Sequence, residues 1–212
     1  MKIGKPFKDF KNAPYPTGSI TQYFGENPIL YGQVCPITTP VKQCLVGHNG
    51  MDFVAPYGTP LFAVRGGQVF EVKDSPDGYG KHVRILSDID GQSFYEWTYG
   101  HLSTITVKKG QIIKEGEIIG TMGNTGFVVS SSNANGFWKY NPYAGTHLHL
   151  GCRKYTDGVC QDYKNGYFGS FDYKDWLPSF DPINDDISGF IAQTRKLLII
   201  LQNAGILAYK PK

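Results

Sequence analysis

The sequence predicts a mainly β domain of the α+β class, built on an antiparallel sheet with long loops and one C-terminal helix. Three observations predict it. Turn formers are abundant, with 26 glycines and 13 prolines in 212 residues. Aromatic residues make up 14% of the chain, which favours strands over long helices. From Met51 onward the apolar residues fall in short runs divided by glycine turns, the pattern of half-buried strands. The length suits one domain with an addition. We therefore expect a domain over residues 1–180 and a helical extension over residues 181–212 packed on it. No internal repeat or inter-domain linker interrupts the chain.

Residues 1–46 are turn-rich, with one short strand expected in SITQYFG at residues 19–25. PLFAVRGGQVFEVKD reads as two strands around Gly66 and Gly67. KHVRILSD alternates with Val83, Ile85 and Leu86 inward, which leaves His82 exposed and structural. SFYEWTYGHL follows as an aromatic strand that ends at His101 before a turn. VKKGQIIKEGEIIG sets isoleucine pairs between glycine turns, as a compact hairpin would. Residues 126–144 form a long Ser/Asn-rich loop carrying Phe137, Trp138, Tyr140 and Tyr143. A loop of that length inside a compact domain is often functional, and its aromatics suit the wall of a binding groove. In the tail, Pro182 and Asp185–Asp186 open a helix that Gly205 ends. Ile187, Phe190, Ile191, Leu197, Leu198 and Leu201 fall near one face of it. That face packs on the sheet or docks a partner.

The bulk charge narrows the partners. A net charge of +3 is small, and no basic run or aromatic RNA-binding signature appears, so nucleic acid is not an expected partner. LLIIL and AGILA are separated by Gln202 and Asn203, too short a stretch to span a membrane. The N-terminal MKIGKPFKDFKNAPYP has no apolar core of a secretory signal. The four cysteines are spaced C-x8-C and C-x7-C, unlike structural zinc pairs. Each pair brackets a turn-like loop, and Asp157-Gly158 is a good hairpin turn. We read local disulfides Cys35–Cys44 and Cys152–Cys160, and with them an oxidising compartment.

The histidines carry the chemistry. Residues 145–151 read GTHLHLG. In a strand, His147 and His149 share one face while Leu148 and Leu150 pack on the other. Such a pair can ligate one metal, or one ring can ligate while its neighbour moves protons. Two surface histidines would look the same. Residues 47–53 read GHNGMDF, where His48 and Asp52 are nitrogen and oxygen donors of the kind zinc accepts. Gly50 lets the chain turn so that both reach one centre. A third histidine, His101, stands in YGHL. Each motif alone is weak, but together they hold four of the five histidines, all near glycines.

The order H-x3-D, Y-G-H-L, H-L-H resembles the lysostaphin/LytM-type zinc metallopeptidases, which cut peptide bonds in bacterial peptidoglycan. GHNGMDFVAPYGTPLFAVRGGQV, GYGKHVRI, YGHLSTITVKKGQIIKEGEIIGTMGNTG and THLHLG follow in the family's order. The resemblance covers residues 19–153. It implies the antiparallel sheet of the LytM/lysostaphin catalytic domain, with its duplicated hybrid motif. It implies one catalytic Zn2+ held by His48, Asp52 and His149, with a water at the open fourth position. It implies that His101 and His147 stand unligated beside that water. One would take its proton and the other would stabilise the oxyanion or protonate the leaving amine. The resemblance leaves open which is which, and His147 is favoured as the base. No H-E-x-x-H motif supplies the glutamate base of another zinc-protease class.

The sequence also departs from the family. Residues 127–145 separate the N-T-G turn from the H-x-H strand, where the family uses a few residues, and Thr146 replaces a usual proline. The loop before His48 is long and holds the first cysteine pair. The family's cross-bridge preferences are therefore not carried over. The expected activity is a zinc endopeptidase acting on stem or cross-bridge peptides of peptidoglycan. The competing readings are a non-catalytic wall-binding or hydrolase-activating domain, and a phage virion or tail component carrying it. All three ligand positions and both catalytic positions are filled, which favours the enzyme. The substrate places its action in the cell wall, periplasm or extracellular space. A phage lysin or tail enzyme reconciles that location with the missing leader segment.

Overall fold

The computed structural model describes residues 1–33, 45–88, 90–128 and 143–179. The described chain gathers into one compact unit, Met1–Pro178. The elements run β1 (Ile20–Gln22), α1 (Pro28–Gln33), β2 (Met51–Phe53), β3 (Pro60–Phe62), β4 (Gly67–Lys73) and β5 (Lys81–Asp88). They continue with β6 (Ser93–Ile105), β7 (Ile112–Ile113), β8 (Ile118–Met122), β9 (Leu148–Thr156), β10 (Val159–Cys160) and a 3-10 turn at Lys174–Trp176. The strands form one antiparallel sheet in the order β1-β2-β9-β6-β5-β4-β7. β10 hangs on β9, and β8 bridges β6 to β3. The expected mainly β, antiparallel class is what the chain forms. The expected C-terminal helix, Cys35 and Cys44, and loop residues 129–142 lie outside the described residues.

The sheet has one apolar face and one polar face because side chains alternate along every strand. On the apolar face, register sets Val83 beside Tyr99, Tyr99 beside Leu150, and Leu150 beside Met51. The next row is Ile85, Trp97 and Cys152. All seven of these side chains are fully buried. Burying a large apolar side chain contributes about 1.5–3 kcal/mol, so these rows anchor the register of the strands that carry the histidines. Two irregular segments cover them. Phe7 meets Phe10 edge-on at 5.6 Å, and Phe10 meets Phe53 at 5.2 Å. From the other end, Tyr173 meets Trp97 edge-on at 5.4 Å and donates from its hydroxyl to the Leu150 carbonyl at 2.7 Å.

Four local expectations are corrected. His82 is buried rather than exposed. Its Nδ1 donates to Gly80 O at 2.9 Å, and its Nε2 meets Glu71 Oε1 at 2.8 Å. The two isoleucine pairs of residues 107–120 form no hairpin, since β7 pairs with β4 while β8 pairs with β3 and β6. His101 does not end its strand: β6 runs on to Ile105. Cys152 and Cys160 are free thiols. The hairpin register explains that last result. Val159 faces Thr156 and Cys160 faces Tyr155, so the turn is too tight to set Cys160 opposite Cys152. Cys152 instead sits in the core, where burial pushes its thiol well above the ordinary range.

Candidate metal centre

The polar face of the sheet brings distant residues together through strand pairing. Asp52 on β2 stands directly opposite His149 on β9, and His149 stands opposite Gly100 on β6. His48 comes from the turn just before β2, and His147 precedes β9 in a bridge with Gly123. Leu148 and Leu150 are fully buried on the far face, so the alternation read from H-x-H holds. His101 follows Gly100 at a bulge, where the register of β6 shifts against β5. Its φ is +63°, a left-handed value that a non-glycine residue rarely takes in a strand. The distortion is held by a hydrogen bond from His101 N to Tyr79 O at 2.7 Å, and it sets the ring beside that of His147, 4.6 Å between centroids.

Three donor atoms converge. His48 Nε2 lies 3.0 Å from His149 Nδ1 and 3.1 Å from Asp52 Oδ1, and His149 Nδ1 lies 3.1 Å from the same oxygen. Among the described residues, His48, Asp52 and His149 form the group able to hold a metal ion, and all three are buried. A tetrahedral ion with bonds of about 2.0–2.2 Å needs ligand atoms about 3.3–3.6 Å apart. The triangle is a few tenths of an ångström tighter and opens by small side-chain movements. Its tautomers also fit. His48 Nδ1 sits 3.2 Å from the Tyr23 carbonyl. A carbonyl only accepts, so Nδ1 carries the hydrogen and Nε2 turns its lone pair to the centre. His149 Nε2, the nitrogen facing away, is buried without a hydrogen-bond partner.

The same reasoning fixes the two outer histidines. His101 Nδ1 donates to Thr125 O and His147 Nδ1 donates to Gly145 O, each at 2.7 Å. Each keeps a lone pair on Nε2, and His147 Nε2 reaches to 3.6 Å from Asp52 Oδ2. Burial holds His101 well below the ordinary histidine range, and the neighbouring His147 and His149 push it further down. Burial also lowers His149, against its hydrogen bond to Asp52. Burial pulls His48 down too, but the Asp52 carboxylate outweighs it and the net direction is up. Burial alone would raise Asp52, yet the charges of His147 and His48 hold it well below the usual carboxylate range. The centre therefore offers an ionised carboxylate and a neutral imidazole at His149, while the same carboxylate favours on His48 a proton that a metal would displace.

Packing around the triangle is close. A Cβ built on Gly50 would lie 2.6 Å from His149 Cε1 and 2.6 Å from Leu150 O. Gly50 is thus required by contact with the ring and the Leu150 carbonyl, not by the turn expected of it, since its φ is not positive. Residues that the motifs left unread complete the wall. The Tyr79 ring lies 5.1 Å from that of His149, and the Tyr79 hydroxyl accepts from Asn49 Nδ2 at 2.8 Å. Tyr31 on α1 stacks on His48 at 6.0 Å. Asn49 between His48 and Gly50, and Tyr79 in GYGK, were visible as motif neighbours, but nothing local showed that they meet. A groove of about 470 Å3 opens here, with His101, His149, Asn49, Tyr79, Phe127 and Arg153 among its lining residues. A wider depression of about 760 Å3 adjoins Gly145 and Thr146 and is edged by Tyr15, Tyr57 and Tyr143.

Comparison with known proteins places this geometry. The profile of peptidase family M23 matches residues 46–162, more than half of the chain. The peptidoglycan DD-endopeptidase ShyB of Vibrio cholerae is 39% identical over 87 residues, 41% of this chain and 19% of ShyB. Lysostaphin of Staphylococcus simulans is 36% identical over 80 residues, 38% of this chain and 16% of that protein. The chain thus spans between about a fifth and two fifths of the length of the first curated relatives it matches. Among solved structures, the catalytic domain of the prophage-encoded M23 protein EnpA from Enterococcus faecalis is 26% identical. That match covers 72% of this chain and 92% of EnpA's, with a TM-score of 0.46. The profile match spans His48, Asp52, His101, His147 and His149, and on it the chain belongs to the metallopeptidase family M23.

Proposed function

We propose that the chain is a zinc-dependent endopeptidase that hydrolyses peptide bonds in bacterial peptidoglycan. The observation that carries this reading is the triangle of His48 Nε2, Asp52 Oδ1 and His149 Nδ1, at 3.0–3.1 Å, with the rings of His147 and His101 beside it. Two nitrogens and one carboxylate oxygen form a three-protein-ligand set of the kind used by catalytic zinc, which leaves a fourth position open. Zinc held there would acidify a water and polarise the scissile carbonyl. His147 Nε2 takes the proton of the attacking water, since its Nδ1 is committed to Gly145 O. The proton held on His147 Nε2 passes on to the leaving amine, and His101, anchored through Nδ1 to Thr125 O with its ring 4.6 Å from that of His147, positions that exchange beside the centre. Tyr79 and Tyr31 shield the donors from bulk water.

Peptidoglycan as substrate is supported by the relatives named for it, and it places the work in the wall, the periplasm or the extracellular space. Residues 1–180 would form the catalytic domain and residues 181–212 an extension of it. The test is clearing of purified peptidoglycan suspensions. Clearing should stop with a chelator, return with added zinc, and be absent in His149→Ala. Clearing that survives chelation would overturn the zinc mechanism.

A further inference from the structure

The polar face of β9 continues past the metal centre. His147, His149, Gly151, Arg153 and Tyr155 alternate on that face, and the pairing with β6 is unbroken from His149 to Thr156. Gly151 carries no side chain, so the floor is open between His149 and Arg153. Both residues line the same groove. Arg153 pairs across to Glu96, which is 2% exposed. The contact is Arg153 Nη1 to Glu96 Oε1 at 3.3 Å. Glu96 is otherwise occupied, accepting from the Tyr155 hydroxyl at 3.2 Å and the Thr98 hydroxyl at 3.3 Å. It also stands 3.9 Å from Arg84 Nε.

A guanidinium carries five N–H donors in a planar fork. The described residues give Arg153 one hydrogen bond, and none of its nitrogens is sealed from solvent without a partner. Glu96 thus holds the fork in place without saturating it. Among the described residues lining the groove there is no Asp or Glu, and Arg153 is the only Lys or Arg. Leu45, Phe127 and Phe168 make the rest largely apolar. In such surroundings an anchored guanidinium binds a carboxylate more strongly than it would in open water.

We propose that Arg153, braced by Glu96, is a carboxylate-binding subsite that selects peptide substrates carrying a free carboxylate near the scissile bond. This rests on the peptidase reading above. Four residues of strand separate Arg153 from His149, about 13 Å at the usual rise. An extended peptide laid along the groove would bring a carboxylate to the fork within about four residues of the reacting carbonyl. Either a chain-terminal or a side-chain carboxylate has the right chemistry.

The test is equilibrium binding to the zinc-free full chain, which cannot turn the ligand over. The probes are a fluorescently labelled wall stem-peptide dimer with free carboxylates, the same dimer amidated at its chain terminus, and the same dimer amidated at its side chain. Amidation at one of the two positions should weaken binding to the wild type by about ten- to a hundredfold, and which position does so identifies the source. Arg153→Gln alone would strand Glu96, so it is paired with Glu96→Gln. That double variant should bind all three peptides alike while keeping wild-type zinc content. Arg153→Lys should keep part of the preference. The subsite is overturned if the wild type ignores amidation, or if the double variant still discriminates. If the wild type binds no form and its zinc-loaded form clears no peptidoglycan, the peptidase reading itself fails.

Discussion

Replacing Gly50 by alanine tests the metal centre without touching a ligand. The added methyl would start 2.6 Å from both His149 Cε1 and the Leu150 carbonyl, and 2.7 Å from His149 Nε2. Real Cβ contacts stay above 3.0 Å, so the ring and the β9 backbone must each yield by at least 0.4 Å. The Leu150 carbonyl is poorly free to move, because Tyr173 donates to it and Leu150 pairs with Met51 and Tyr99. The ring therefore takes most of the shift, and metal sites tolerate about 0.2 Å in bond length. Displacing a ligand by the amounts typical of altered supporting residues costs about ten- to a hundredfold in metal affinity. Overpacking should also destabilise the fold by about 1–3 kcal/mol, a fall of about 2–12 °C in a domain of this size. Zinc competition against a chromophoric chelator measures the first effect, and a thermal melt of the metal-free chain measures the second. A Gly50→Ala protein that binds zinc within twofold of wild type and melts within a degree of it would refute the reasoning.

Four further outcomes are expected. His149→Ala should purify without zinc by elemental analysis, whereas His147→Ala should retain zinc and cleave about a hundredfold or more slowly; near-normal rates in the latter would remove its role as base. In the native protein at pH 8, thiol reagents should label Cys160 but not Cys152 until denaturant is added, since Cys160 is half-buried and Cys152 is sealed in the core. Burial holds Cys152, Tyr99 and Tyr173 in their neutral forms, raising each folded value above the unfolded one. Stability is then fully present below the unfolded thiol's 9.0 and falls as pH rises beyond it. The fall is about 1.4 kcal/mol per pH unit for each group engaged, read from urea melts between pH 8 and 11. Glu96→Ala should cost about 3 kcal/mol or more in the same melts by leaving Arg153 uncompensated, and Glu96→Gln less.

The sheet was legible because its signals are local, whereas the five candidate site residues were assembled from individually weak motifs through the family resemblance. H-x-H needs only the alternation of a strand, and Val83 and Ile85 are buried as that alternation requires. What escaped depends on partners far along the chain. His82 looked like a surface residue in an alternating strand, yet Glu71 on the paired strand closes over it. Nothing in SFYEWTY shows that Glu96 is met by Arg153 from 57 residues away. The isoleucine pairs after Val107 look like one hairpin, but the strands that claim them lie elsewhere. The Cys152–Cys160 reading failed on register, since Asp157-Gly158 does make the turn but sets Cys160 against Tyr155. His101 was found by its motif, whereas its left-handed backbone has no signature in a string of side chains.

The pairing of β2 with β9 has a consequence for how the molecule comes into being. Asp52 and His149 are 97 residues apart in the chain, yet they face each other on adjacent strands. Contacts of such separation form late and slowly, because a long loop must close before they return any free energy. A chain that has made its local turns and its β5–β6 pairing still holds His48 and Asp52 with no third ligand opposite. The full donor set therefore exists only once β2 has paired with β9.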